Sequence, residues 1–277
     1  METPTTTDIP VPVPIIITLP VPEPSTIVLV AVDLADTCLF QHRCGIVAES
    51  FSPIRSWRIA ARVRALLTAS SAPHTVADRT VVVGYNAQMN ATPDALSFFS
   101  VRARTYVRFI RLFRYQRGLQ KYLEGSTLLR SGIRVLDAGC GTGAALIALH
   151  DAMLTRGLAP AALHGFDLTP AMLDCLRESL RVRNIVGVEL VNANVLSLGT
   201  LPTIWRDYDL IVTASMLEYV PRAEFAHTLN SLRSLIRPGG SLLLFMTRDN
   251  WLMRPLIGQL WQSNLYSAQQ LRAWGQN

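Results

Sequence analysis

The residues best suited to bind a ligand are one acid and three glycines in the stretch 135–143, which reads VLDAGCGTG. Asp137 ends an apolar run, and Gly139, Gly141 and Gly143 follow it at two-residue intervals. Glycine permits a positive φ and lets a ligand lie directly against the backbone. The spacing therefore predicts a ligand-binding turn between a strand and a helix.

A second acid, Asp167, ends the next apolar run. A carboxylate at that place can accept hydrogen bonds from both hydroxyls of a ribose. These features alone leave two classes of cofactor open, because the pattern from Gly139 through Gly141 to Ala144 also fits the dinucleotide fingerprint G-x-G-x-x-G/A. An NAD(P)-dependent oxidoreductase is therefore one alternative.

The elements that must position these residues alternate along the second half of the chain. Apolar runs predict strands, and the stretches between them are compatible with helices. Strands are expected at 133–137, 162–167, 187–192, 209–213 and 241–245, with helices near 143–156, 170–183 and 222–236. Continuous apolar strands separated by helices indicate a parallel sheet that is buried on both faces. The predicted fold class is α/β, doubly wound and mainly parallel, with ligands at the carboxyl ends of the strands.

With these elements in place, the sequence resembles the class I, Rossmann-like S-adenosylmethionine-dependent methyltransferase family. The family's first motif is two hydrophobic residues followed by Asp/Glu-x-Gly-x-Gly-x-Gly, and it includes the acid before Gly139 that the dinucleotide fingerprint lacks. Four later stretches resemble the family's second motif, its Asp or Asn beside the adenine, its fourth strand, and its helix, turn and fifth strand. They are 164–173, 192–195, 208–212 and 235–244.

The resemblance implies S-adenosyl-L-methionine as the cofactor and gives roles to individual residues. The glycines would make room for the methionine part, which Asp137 would help to orient. Asp167 would accept from the ribose hydroxyls, and Asn194 would read the adenine amino group. The full expected cofactor-binding set is Asp137, Ala138, Gly139, Cys140, Gly141, Gly143, Asp167, Leu168, Asn194 and Val195. The cofactor carries no phosphate, and the glycine turn contains no lysine or arginine.

The implied reaction is transfer of a methyl group to an acceptor, which we expect to be a small molecule. Glu218 and Tyr219 follow the fourth strand, where many family members have a histidine, and they are the candidates for a base. The catalytic residues are otherwise unknown, and the favoured alternative is that Glu218 only begins the next helix. An Asn/Asp-Pro-Pro-aromatic motif, typical of amino-directed nucleic-acid methyltransferases, does not follow this strand, so no nucleic-acid partner is expected. The alternative is a catalytically inactive cofactor-binding remnant or partner subunit.

The net charge of +6 is concentrated in residues 91–130, which carry eight bases and two acids. Most of these bases alternate with apolar residues at helical spacing, which predicts a basic amphipathic helix. They are Arg102, Arg104, Arg108, Arg111, Arg114, Arg117 and Lys121. We interpret this face as solvated, with an anionic substrate, a membrane surface or nucleic acid as alternatives. Aromatic residues near the C-terminus suggest a substrate lid or a hydrophobic partner surface, and they are Trp251, Trp261, Tyr266 and Trp274.

The sequence divides into an irregular, partly disordered N-terminal extension, 1–88, and a methyltransferase domain, 89–277, with its cofactor core at 131–247. Prolines interrupt the apolar stretch 11–32, so neither a spanning helix nor stable membrane insertion is expected. The four cysteines lack metal-ligand spacing, so no metal site is expected, and a cytoplasmic location is the simplest setting.

The end of the predicted sheet departs from the family pattern. The family's sheet closes with a hairpin of strands six and seven, and this hairpin is expected to be missing because few residues follow Phe245. The fifth strand would then be an exposed edge, which favours association or instability. Three explanations are open: a truncated chain, a partner or second copy that covers the edge, or a strand near Ile27 or Thr80 that does so.

Overall fold

The computed structural model describes residues 26–32, 95–247, 249, 254–267 and 270. The strand candidate near Thr80, as well as Trp251 and Trp274, lies outside the described residues.

In the described part of the chain, six parallel strands form a single sheet. Their bounds are β1 Thr26–Val32, β2 Arg134–Ala138, β3 Ala162–Asp167, β4 Val188–Asn192, β5 Tyr208–Ala214 and β6 Ile236–Thr247. The strands lie in the order β1-β6-β5-β2-β3-β4, and each neighbouring pair is parallel. From β2, the chain first adds β3 and β4 on one side and then adds β5 and β6 on the other side. The predicted doubly wound fold is therefore confirmed.

Helices cover both faces of this sheet. Their bounds are α1 Ala95–Leu112, α2 Tyr115–Glu124, α3 Ala144–Thr155, α4 Pro170–Val182 and α5 Phe225–Arg233, and a π-helical turn spans Arg254–Gln259. Neighbouring residues of a strand point to opposite faces, so Leu243 joins the apolar core under α1–α4 and Leu242 joins the one under α5. None of the described helices is long and apolar enough to cross a membrane.

The edge next to β6 is covered by β1. The pairing runs in register from Thr26 beside Ser241 to Val32 beside Thr247. Val28 and Val30 are buried in this position. The strand near Ile27 thus takes the edge place, which is the third of the expected explanations, while the described residues after Thr247 add no strand to the sheet.

The expected basic helix is two helices rather than one. The chain breaks between α1 and α2 at Arg114, whose φ is +51°. Phe113 and Tyr115 on either side are both buried. Residues two apart point away from each other on one helix, so a continuous helix could not bury both, and the break resolves the conflict.

One carboxylate links three strands at the end of the sheet that is opposite to their carboxyl ends. The side chain of Asp209, in β5, accepts hydrogen bonds from the backbone amide of Arg134 at 2.8 Å and from the Nε of Arg237 at 2.8 Å. The guanidinium of Arg130 lies 2.5 Å from the same carboxylate. These contacts fix the relative positions of β2, β5 and β6.

Candidate functional site

The glycine turn after β2 is tied to β3 and is open on one side. The amide of Cys140 donates to the carbonyl of Phe166 at 2.9 Å. Gly139 and Gly141 both have positive φ, +70° and +52°. A Cβ on Gly139 would lie 2.1 Å from the Cγ of Met216, whereas one on Gly141 would meet nothing closer than Asp167 Oδ2 at 4.0 Å. The turn is therefore closed at Gly139 and has free space at Gly141.

Asp167 stands at the end of β3 and holds two neighbouring backbone segments. Its Oδ2 accepts the amide of Gly141 at 2.9 Å, and its Oδ1 accepts the amide of Thr169 at 2.8 Å. Burial raises the pKa of this carboxyl, and the two amides act against that rise. Each carboxylate oxygen can accept a second hydrogen bond, so the group can still bind hydroxyl donors.

Asp137, the acid of the glycine motif, is deeply buried. Only 1% of the residue is exposed, and neither carboxylate oxygen has a well-formed hydrogen-bond partner among the described residues. Burial raises the pKa of Asp137 to about 8, which the backbone amide of Leu146 partly offsets and the charge of Asp167 increases. Burial thus favours the protonated form of the carboxyl group that lies behind the glycine turn.

A cavity of about 290 Å³ lies at the carboxyl ends of the strands. Six of the expected cofactor-binding residues line it: Gly139, Gly141, Asp167, Leu168, Asn194 and Val195. The amide oxygen of Asn194 accepts the backbone amide of Leu196 at 2.9 Å, which fixes that side chain at the cavity. The structure therefore brings together the residues from three separate sequence stretches, as expected for this edge of a parallel sheet.

The other four expected residues do not line this cavity. Ala138 and Cys140 are buried in the apolar cores, and Asp137 lies behind the turn. Gly143 directly precedes α3, and a Cβ there would lie 2.3 Å from Leu176 Cδ1. Its role in this structure is close packing of α3 against α4. The turn alternates between residues that face the cavity and residues that face the core, which a motif match alone cannot separate.

The wall opposite the glycine turn is aromatic. Phe99 and Tyr106, both from α1, line the cavity together with Tyr219. The Phe99 ring lies edge-to-face on Tyr219 at 4.8 Å and on Tyr106 at 5.6 Å. Phe99 and Tyr106 are site residues that the sequence motifs do not reveal, and their seven-residue spacing on one helix face is the available signal. Among the described lining residues, Asp167 is the only charged side chain.

Of the two candidate bases, Tyr219 reaches the cavity and Glu218 does not. Burial holds the pKa of Tyr219 well above its ordinary value, so the phenol stays protonated. Glu218 is 1% exposed. Burial raises its pKa to about 7, although the hydrogen bond from the Thr247 amide acts to lower the pKa. Its Oε1 accepts that amide at 2.5 Å, and its carbonyl accepts the amide of Asn264 at 2.8 Å.

The two described aromatic residues near the C-terminus are part of the core. Trp261 is 2% exposed and packs on Tyr106 at 5.1 Å and on Phe109 at 5.1 Å. Tyr266 is also buried and packs on Phe225 at 5.4 Å. Trp261 thus packs against α1, the helix that supplies the aromatic wall.

Comparison with known proteins agrees with this geometry. Residues 135–240 match the protein family described as methyltransferase domain. The tRNA U34 carboxymethyltransferase of Methylococcus capsulatus is 33% identical over 122 residues, 44% of this chain and 34% of that protein. The ubiquinone biosynthesis O-methyltransferase of Neisseria meningitidis is 29% identical over 129 residues, 47% of this chain and 50% of that protein. The chain therefore spans half or less of the length of these curated relatives.

A solved structure supports the same fold. It is a chain from the complex between the Haloferax volcanii Trm112 methyltransferase activator and a methyltransferase. The match has a TM-score of 0.51 and 18% identity, and it covers 66% of this chain and 74% of that chain. Residues 135–240 thus match a methyltransferase domain, and the fold around them is shared with that solved chain.

Proposed function

We propose that this protein transfers a methyl group from S-adenosylmethionine to a small, uncharged acceptor with an apolar or aromatic body. The observation that carries the proposal is the cavity itself. One side has the open glycine turn and the Asp167 carboxylate, and the other has the aromatic wall of Phe99, Tyr106 and Tyr219. A polar, hydroxyl-binding half next to an apolar half suits a nucleoside cofactor beside an apolar acceptor.

The residues present fit this cofactor. Asp167 would accept from the ribose hydroxyls with the lone pairs that Gly141 and Thr169 leave free. The oxygen of Asn194 has a second lone pair for the adenine amino group, and Leu168 and Val195 would pack on the ring. A dinucleotide would bring two phosphates to a described lining whose only charge is negative, which disfavours the NAD(P) alternative.

When bound, S-adenosylmethionine would supply an electrophilic methyl group. The chain's own task is then to align the acceptor, and alignment alone corresponds to effective molarities of roughly 10⁵–10⁸ M. We propose that Tyr219 donates a hydrogen bond or packs against the acceptor, since it stays protonated. Glu218 would act as a positioning residue, because it holds the segments that contain Thr247 and Asn264.

We also propose that residues 89–277 form the methyltransferase domain, with its cofactor core at 131–247, and that β1 from the preceding extension completes its sheet. The pairing of β1 with β6 supports this arrangement. A cytoplasmic location is part of the proposal, and the free thiols of Cys140 and Cys175 are compatible with it.

Transfer of a radiolabelled methyl group to fractionated cell extract tests the function. The label should appear in apolar small molecules. Label found mainly in DNA, RNA or protein would contradict the acceptor class. If the protein binds the cofactor but transfers no label to any fraction, the result would favour the inactive remnant or partner subunit.

A pair of alanine substitutions tests the shape of the turn. Gly141→Ala should cost about 1–2 kcal/mol of stability, because φ is +52°, and its methyl group would enter the free space of the cavity. We expect a several-fold loss of S-adenosylmethionine affinity with a melting temperature that is only a few degrees lower. Gly139→Ala should instead lower the melting temperature strongly, because the new Cβ would collide with both Cγ and Cβ of Met216. Unchanged cofactor affinity in a folded Gly141→Ala variant would contradict the placement of the ligand.

A further inference from the structure

The outer face of α1 carries positive charge and exposed apolar groups together. Arg104, Arg108 and Arg111 recur at intervals of four and three, so they lie on one side of the helix. Val101 and Leu112 fall on the same side, and 79% and 52% of their surface is exposed. The opposite side of the helix is buried and includes Phe98, Phe99, Ala103, Phe109 and Ile110.

The arginines on this outer face lack an acidic partner in the part of the chain that the structure describes. None of Arg104, Arg108 and Arg111 lies within ion-pair distance of an acid among the described residues. Arg114, at the break, and Arg117, in α2, are also exposed and also lack a described acidic partner. Exposed arginines on α4 and just after it behave differently, because each pairs with an acid: Arg177 with Asp174, Arg181 with Glu178 and Arg183 with Asp151.

From this arrangement we propose that the outer face of α1 docks on the surface of an anionic phospholipid membrane. Unpaired arginines complement the negative headgroups, and Val101 and Leu112 can enter the boundary between headgroups and acyl chains. Docking of this kind is peripheral and needs no spanning segment. Because α1 also supplies Phe99 and Tyr106 to the cavity wall, the site would lie close to the lipid surface.

The composition of the face favours lipid over nucleic acid. Proteins that bind single strands stack bases on exposed aromatic rings. The aromatic residues of α1 face inward, and the large exposed hydrophobic residues of the described part of the chain are all aliphatic. An aliphatic and arginine surface offers charge and apolar contact without a stacking platform.

Co-sedimentation of the full-length chain with vesicles tests this proposal. The protein should bind vesicles that contain phosphatidylglycerol and should not bind pure phosphatidylcholine. Binding should weaken as salt rises from about 0.1 M to about 1 M, because the screening length falls from about 10 Å to about 3 Å. Equal binding to both lipids, or no binding to either, would overturn the proposal.

Two triple variants with the same loss of charge separate this face from net charge. Replacement of Arg104, Arg108 and Arg111 by glutamine should weaken vesicle binding roughly a hundredfold, since each basic residue near an anionic surface contributes about 1 kcal/mol. Replacement of the ion-paired Arg177, Arg181 and Arg183 by glutamine should change binding less than tenfold. Melting curves should show that both variants fold. Equal losses in the two variants, or tighter binding to RNA than to anionic vesicles by the parent chain, would overturn the proposal.

Discussion

The free energy of unfolding of the parent protein should fall as the pH rises from about 4 to about 8, and the Asp137→Asn substitution should remove a large part of this fall. The folded protein holds a proton on Asp137 up to about pH 8. The unfolded chain releases that proton near pH 4. The folded state therefore binds more protons in this window, and the free energy of unfolding falls as the pH rises through it. At about 1.4 kcal/mol per pKa unit the effect amounts to several kcal/mol.

Denaturant unfolding of both proteins at several pH values measures this effect. The stability of Asp137→Asn relative to the parent should increase steadily between pH 5 and pH 8. Asp209→Asn is the matched control: burial acts to raise the pKa of Asp209, but contacts from Arg134, Arg237 and Arg130 hold it below the ordinary value. That variant should be less stable by an amount that is constant across the same range. A constant difference for Asp137→Asn would mean that Asp137 is ionised in the folded protein.

Asp167→Ala should lower the affinity for S-adenosylmethionine by at least tenfold. The carboxylate would lose its hydrogen bonds to the ribose hydroxyls, and a bond to a charged group contributes about 1.5–3 kcal/mol. Each factor of ten in affinity corresponds to about 1.4 kcal/mol. The structure adds a cost in stability, because the amides of Gly141 and Thr169 also lose their acceptor.

Two further variants separate binding from stability at this place. Asn192→Ala removes the hydrogen bonds from its Nδ2 to the carbonyls of Asp167 and Leu168, at 2.9 Å each, and leaves the carboxylate in place. It should lower the melting temperature with little loss of affinity. Asp167→Asn keeps one acceptor and should fall between the parent and Asp167→Ala. If Asn192→Ala costs as much affinity as Asp167→Ala, the carboxylate does not bind the cofactor directly.

The central fold could be predicted because its strands are continuous apolar runs. The predicted strand 162–167 has the observed bounds of β3, and 170–183 differs from α4 by one residue. The fifth strand was predicted as 241–245, but β6 begins at Ile236, where backbone pairing with Tyr208 continues the strand through Pro238 and Gly239. Apolar patterning gave no sign of that extension, since backbone hydrogen bonds rather than buried side chains define it.

Long-range packing accounts for what the sequence left open. The sequence does not decide between the strand candidates for the edge beside β6, because parallel pairing depends on a partner more than 200 residues away. The aromatic wall was missed for the same reason: Phe99 and Tyr106 face the cavity because Trp261 holds α1 against the core. The glycine motif identified the place of the cavity but not which of its members face it, as Gly143 and Asp137 illustrate.

Calorimetric titration of the full-length chain with S-adenosylmethionine and, separately, with NAD⁺ tests the central claim most directly. The geometry at Gly141, Asp167 and Asn194 predicts saturable binding of S-adenosylmethionine at one site per chain and no measurable binding of NAD⁺. Binding of NAD⁺ in preference to S-adenosylmethionine, or the absence of S-adenosylmethionine binding by folded protein, would contradict the account.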